Sequence, residues 1–405
     1  MTLNWINRPS HHEWLAHHAS DLLAFGRHVA LPQGGAAWLD DNGNPDPTQP
    51  VPTWITARMI HVYGIGALLG TPGCSEIAQS VMAGLSGPLH DQINGGWFSS
   101  LDHGQPAPGK FCYDHVFVLL ASATAVHAQL DGAQALFAEA SATFTTHFWD
   151  EAAGRCVDAW DTAFEQLDRY RGLNANMHAV EAMISVAGLT DDPIWLTRAD
   201  RICRFVIQTA EANDWRIPEH YDDRWNPDLE YNADQPGDQF KPYGATVGHA
   251  FEWARLLVHL ANAPIQCDRG ELVHAAKSLF DRAVADGWAP DGAAGFVYTT
   301  DWNGAPVVRD RLHWVLAEAI NAAAVLYLQT GESAYADLYQ SWWDHAARYH
   351  IDPMNGSWLH QLDHNNQPAN SVWTGRPDLY HAFQAAIVPT LALYPMIAAG
   401  VDQRN

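Results

Sequence analysis

Positive charge is what this sequence has least of. Its 405 residues include 22 lysines and arginines against 46 aspartates and glutamates, a formal charge of −24. A surface of that sign repels polyanions, which excludes nucleic acid and anionic membranes as partners. Cysteine is also scarce. Cys74, Cys112, Cys156, Cys203 and Cys267 form an odd set with no Cys-x-x-Cys spacing, which argues against a disulfide framework and a thiolate zinc site and fits a reducing compartment. No run approaches the roughly 20 apolar residues needed to span a bilayer. The opening Met1-Thr-Leu-Asn-Trp-Ile-Asn-Arg8 lacks the basic-then-apolar order of an export signal. A soluble, cytoplasmic protein is expected. Missing too are a phosphate-binding Gly-rich loop before a helix and a Gly-x-Ser-x-Gly nucleophile elbow. Charged residues are only 17% and hydrophobic ones 47%, the balance of a folded globular chain. Tryptophan and histidine, by contrast, are plentiful at 18 and 22. The first offers flat apolar faces with one donor, the second a proton carrier near neutral pH.

A repeat underlies the chain. A short apolar strand followed by Asp with Gly, Asn or Pro recurs around Trp38, Trp97, Val157, Ile217, Val297 and Trp358, at separations of 59, 60, 60, 80 and 61. Between these hairpin signals lie pairs of stretches with helical apolar spacing, such as 55–69 with 77–89 and 116–130 with 133–148. Six helical hairpins with β-turn excursions predict an all-α, (α/α)6 barrel of twelve helices, closed by pairing 13–28 with 380–396. The longer fourth unit reads as a loop insertion near 222–237. No linker or composition break divides the chain, so one catalytic domain over 1–405 is expected.

Ionisable and aromatic residues recur where each inner helix should begin: Trp54 and Arg58, Tyr113 and Asp114, Asn174 and His178, His249 and Glu252, Trp314 and Glu318, and His381 after Asp378. The pairs 54/58, 174/178, 249/252 and 314/318 are spaced i,i+3 or i,i+4, so each shares a helix face. Taken singly, a histidine in an Ala-rich helix is more often a core residue than a catalyst. Arg58 with Glu252 could be an architectural ion pair, and Trp54 and Trp314 plain core. Recurrence at equivalent positions is what raises the catalytic reading, with polar groups aimed into one cavity. The group His11, His12, His17 and His18 misses the His-Glu-x-x-His zinc spacing by one residue and reads as a solvated helix face. His360 and His364 are at most a weak metal signal.

The segments Thr53-Trp-Ile-Thr-Ala-Arg58-Met, Asn174-Ala-Asn-Met-His178-Ala-Val-Glu-Ala, Pro242-Tyr-Gly-Ala-Thr-Val-Gly-His249-Ala-Phe-Glu252-Trp and Gly375-Arg-Pro-Asp-Leu-Tyr-His381 resemble the N-acylglucosamine 2-epimerase superfamily. Within it they resemble the aldose–ketose isomerase branch, which acts on mannose and on sulfoquinovose. The resemblance spans nearly the whole chain, and Gly-His-x-x-Glu-Trp is its most specific part. It implies an (α/α)6 barrel, no metal and no cofactor, and proton transfer by histidines through a cis-enediol. By the same resemblance His249 and His381 are the acid/base pair, and Arg58, His178 and Glu252 are polar sugar-binding residues. Tyr113, Asn174 and Glu318 are additions to that set, and Trp54 and Trp314 are aromatic walls. The segment Gln239-Phe-Lys241-Pro lacks the arginine that a sulfonated sugar would call for, which favours a neutral hexose.

The chemistry suits these residue types. Turning an aldose into a ketose moves a proton from C2 to C1, work for a base near neutral pH such as histidine. The enediolate oxygen gains charge, which Arg58 can stabilise. A cyclic sugar must first open, a task assigned to His249 with Glu252 orienting it, leaving the C2–C1 transfer to His381. The expected reaction is D-mannose to D-fructose, with D-lyxose as a second substrate. Three alternatives stand beside it: a 2-epimerase using the two histidines on opposite faces of the enediol, a non-catalytic binding protein, and an inverting glycoside hydrolase. The last needs two carboxyls roughly 6.5–9.5 Å apart, drawn from Asp114, Glu252, Glu318 or Asp378.

Overall fold

Helical hairpins succeed one another along the chain in a computed structural model that describes residues 4–403. Among these residues there are thirteen α-helices: α1 (Pro9–Phe25), α2 (Thr53–Leu68), α3 (Cys74–Met82), α4 (Cys112–His127), α5 (Ala133–Thr143), α6 (Leu173–Thr190), α7 (Pro193–Glu211), α8 (Val247–Asn262), α9 (Arg269–Gly287), α10 (His313–Thr330), α11 (Ser333–His345), α12 (Tyr380–Ile387) and α13 (Ile397–Asp402). The six-residue α13 is an addition to the expected twelve. Contacts group the chain into two compact units. One comprises Leu23–Ile202, Gly375–Tyr380 and Pro395–Asn405; the other comprises Met1–Leu22, Cys203–Thr374 and His381–Tyr394.

In the first unit α2, α4 and α6 pack side by side, α3 lies on α2, α5 on α4, and α13 touches all three inner helices. Every residue from Thr53 to Gly66 of α2 is buried. A helix buried all round must be enclosed by others, which makes α2 an inner helix. On α3 only the stripe Cys74, Ala78, Val81 and Met82 is buried, the pattern of an outer helix. It also stops at Met82, short of the expected 89, because residues 83–89 form turns.

In the second unit α8 packs on α10, α9 on α8 and α11 on α10. Helix α9 starts at Asp268, whose side chain accepts from the Glu271 N–H, and α10 ends on Gly331 at φ 72°. These are the ordinary start and stop devices of helices. The expected helix 380–396 is shorter: α12 ends at Ile387, and a 3-10 turn carrying Pro389 follows, since proline cannot donate the next helical hydrogen bond. The reading of the N-terminal histidines is corrected for two of them. His11 and His18 are buried; the His11 ring nitrogen meets the Tyr339 hydroxyl at 2.8 Å, and His18 accepts from the Trp358 indole N–H at 2.7 Å.

The hairpin excursions are strands of two or three residues. In four of them an Asp side chain, at positions 40, 222, 301 and 363, accepts from the backbone N–H groups two and four residues on, at 2.8–2.9 Å. This side-chain turn is the physical content of the repeat. The insertion expected near 222–237 is a helix-free loop running to Gly244. All five cysteines are free, and no helix among the described residues is long and apolar enough to cross a membrane.

Candidate active site

On the first unit the polar residues gather around Arg58. Its Nη1 donates to Asp378 Oδ2 at 3.0 Å and its Nη2 to the Tyr113 hydroxyl at 2.9 Å. The guanidinium lies 4.9 Å from the Trp54 ring centroid, 4.3 Å from Phe117 and 4.7 Å from Tyr380. Aromatic faces and a carboxylate hold a cation that burial alone would expel. Burial opposes the charge, yet the oxygens of Tyr113, Asp378 and Tyr380 outweigh it and raise the arginine's pKa above its ordinary value. Arg58 is thus a fixed cation. His178 packs edge-on to Tyr113 and 4.5 Å from Phe117 between ring centroids. Its Nδ1 is 3.6 Å from Glu181, to which the Tyr380 hydroxyl also donates. Asn174 stands one turn before His178 on α6. Asp114 is buried, and burial pushes its carboxyl well above the usual range despite a hydrogen bond from the Trp54 N–H.

On the second unit two histidines flank one indole. The Trp314 ring lies 5.4 Å from His249 and 5.7 Å from His381 between centroids. Gly248 permits this approach: a Cβ at that position would sit 2.2 Å from the Trp314 ring. The glycine of the Gly-His-x-x-Glu-Trp segment is therefore required by packing. Each histidine presents Nδ1 to a buried carboxylate. For His249 it is Glu219 Oε1 at 3.0 Å, and for His381 it is Glu318 Oε1 at 2.9 Å. A carboxylate acceptor requires Nδ1–H and leaves Nε2 as the working nitrogen. Arg255 Nε donates to Glu318 Oε2 at 2.9 Å, and its Nη2 donates to Glu252 Oε1 at 3.3 Å.

The structure groups Trp54, Arg58, Tyr113 and His178 on one unit and His249, Glu252, Trp314, Glu318 and His381 on the other. The carboxylate that meets His249 Nδ1 is Glu219, where the sequence reading named Glu252, and Glu252 binds Arg255. Arg58 pairs with Asp378. Sequence reasoning missed Glu219, Arg255 and Glu181. Arg255 carried a signal, a charge inside the apolar run Trp253–Leu260; Glu219, on an irregular segment, carried none. Glu252, Glu318 and His381 each bring a potential ligand atom within 4.8 Å of the others. Arg255 already bridges the two carboxylates with a positive charge, so the three read as an ion network and not as ligands. His360 stacks on His313 at 3.8 Å, and His364 meets Asn365.

A crystal structure of D-mannose isomerase superposes with a TM-score of 0.87 at 28% identity, covering 95% of this chain and 99% of the other. The fold class is accordingly that of the (α/α)6 barrels. The family model for N-acylglucosamine 2-epimerase matches residues 34–385, and the chain belongs to that family. D-mannose isomerase of Thermobifida fusca is 45% identical over 99% of both chains. That of Pseudomonas cannabina pv. alisalensis is 42% identical over 98% of both.

Proposed function

We propose that this protein is an aldose–ketose isomerase that interconverts D-mannose and D-fructose, with D-lyxose as a second substrate, in the cytoplasm. The observation that carries this reading is the 45% identity, over 99% of both chains, to a D-mannose isomerase. In this scheme His249, held by Glu219, opens the sugar ring. His381, held by Glu318, lifts the C2 proton and returns it to C1. Arg58, fixed by Asp378 and Tyr113, is the cation assigned to the developing charge of the enediolate oxygen. His178, Asn174, Tyr113 and Glu252 bind hydroxyls, and Trp54 and Trp314 cover C–H faces. A family match running through 34–385 supports one catalytic domain, and five free cysteines suit a reducing compartment.

Three of the four carboxyls on which the glycosidase alternative would draw are engaged by arginines. Glu252 and Glu318 are tied to Arg255 and Asp378 to Arg58. Incubating D-mannose in deuterium oxide and following products by NMR tests the isomerase against the epimerase. Fructose is expected to dominate, with part of the substrate's C2 hydrogen retained at C1. Glucose deuterated at C2 and appearing before fructose would establish a 2-epimerase. Exhaustive chelation is expected to leave turnover intact, since Arg58 and the histidines supply the charge and proton transfer. Loss of activity that manganese or zinc restores would overturn the metal-independent scheme.

A further inference from the structure

Arg255 interrupts the apolar run of α8 and is 0% exposed, as is Glu318. Taking a guanidinium and a carboxylate out of water is costly unless each meets an opposite charge and is hydrogen-bonded. Here the arginine joins two helices, since its Nε reaches Glu318 Oε2 on α10 while Nη2 reaches Glu252 on its own helix. The second oxygen of Glu318 is turned to His381 Nδ1. Arginine, carboxylate and imidazole thus form a chain that ends at the nitrogen opposite the one assigned to catalysis.

We propose that Arg255 is a positioning residue for the isomerisation: its charge keeps Glu318 ionised, so that His381 carries its proton on Nδ1 and offers Nε2 unprotonated to the sugar. This rests on the reading in which His381 moves the C2 proton. The proton count carries the argument. With Arg255 in place, the Glu318–His381 pair holds one proton, on Nδ1. Without it, a carboxylate enclosed in protein draws a second proton from solvent onto the pair. If that proton settles on the imidazole, Nε2 is protonated. If it settles on Glu318, the new hydroxyl donates to Nδ1 and the ring's own proton sits on Nε2. Both arrangements block the base. Among the described residues of the unit, other titratable groups beside this pair include Glu252 on α8, which brings an oxygen within 4.8 Å of both, His313 on α10 with its ring centroid 6.5 Å from that of His381, and His360 stacked on His313. Of the groups named, only Arg255 brings a fixed positive charge to the Glu318 carboxylate.

The test compares Arg255→Met and Arg255→Lys with the unsubstituted enzyme. For Arg255→Met, kcat is expected to fall at least tenfold at pH 7 and to recover as pH rises, its acid limb displaced upward by a unit or more. Arg255→Lys, which keeps the charge, should hold that limb near its original place. A kcat lowered by the same factor at every pH, or one unchanged, overturns the proposal. A second readout needs neither turnover nor a stable Arg255 variant. In the unsubstituted protein labelled with ¹⁵N-histidine, the His381 ring signals, identified by their loss in His381→Asn, should report Nδ1–H and a bare Nε2 at pH 7. A proton on Nε2 there overturns the role of Arg255 even if the substrate assignment holds. Absence of turnover on every aldose would instead sink the functional reading, with the tautomer still deciding the inference.

Discussion

What distinguishes the histidines from one another is the group that meets each ring. His249 and His381 face carboxylates, whereas His115 bonds the Phe111 carbonyl and burial pushes its pKa down to about 3. A buried imidazole without an acid is a neutral structural residue; one with an acid is kept in a defined tautomer and can carry protons. His381→Asn should therefore lower kcat by a factor of at least about 10² while the far-ultraviolet circular dichroism and melting temperature stay close to the original. Residual activity within tenfold would remove His381 from the mechanism. Candidate residues were legible where the signal was local, in i,i+3 and i,i+4 pairs at helix starts. Their partners were not, because Asp378 lies 320 residues from Arg58 and Glu318 lies 63 from His381.

Between elements, buried cations pin the hairpins to the helices that follow them. Lys110, two residues before α4, donates to Asp91 Oδ2 at 2.9 Å and to the Gly95 carbonyl at 3.0 Å. Arg311, two residues before α10, reaches Asp291 at 2.6 Å and the Ala293 carbonyl at 3.2 Å. The same device thus appears in both units. Burial opposes the Asp91 charge, yet the Lys110 and Asn94 hydrogen bonds hold its carboxyl below the usual range. Lys110→Met would strand that carboxylate, and the expected cost is about 3–5 kcal/mol in urea unfolding. Adding Asp91→Asn should recover part of it. A single variant as stable as the parent would show that the pair does not anchor the hairpin. Neither pairing was apparent from the strand signals, since a charged residue beside a strand reads as exposed until its turn folds over it.

Across the whole molecule, buried neutral histidines tie stability to pH. His11, His18 and His350 have pKa values pushed down to about 4, and His115 and His345 to about 3, burial being the main cause in each. Their folded pKa lies below the unfolded value of about 6.5, so the unfolded chain binds more protons in between. Their contribution is complete above pH 6.5 and is lost as pH falls toward 4, on the order of 1–2 kcal/mol per histidine by pH 5. The melting temperature measured by calorimetry should fall steadily from pH 7 to pH 5. A flat profile would show that these rings are open to solvent. Composition revealed the abundance of histidine, but His11 and His18 looked like an exposed face until Tyr339, Trp343 and Trp358 were seen to cover them.

The sequence by itself determined the hairpin repeat, the all-α class, the helices on which the candidate residues stand and the family to which they point. Those properties live in spacing: apolar periodicity defines helices, an Asp with a following turn defines each excursion, and three or four residues define a shared face. Only the tertiary structure decided which charge meets which. Glu219 holds His249, Asp378 holds Arg58, and Arg255 joins Glu252 to Glu318. The physical reason is that a buried charge is satisfied by whatever packing brings within about 3 Å, and packing joins segments whose separation along the chain no local pattern records.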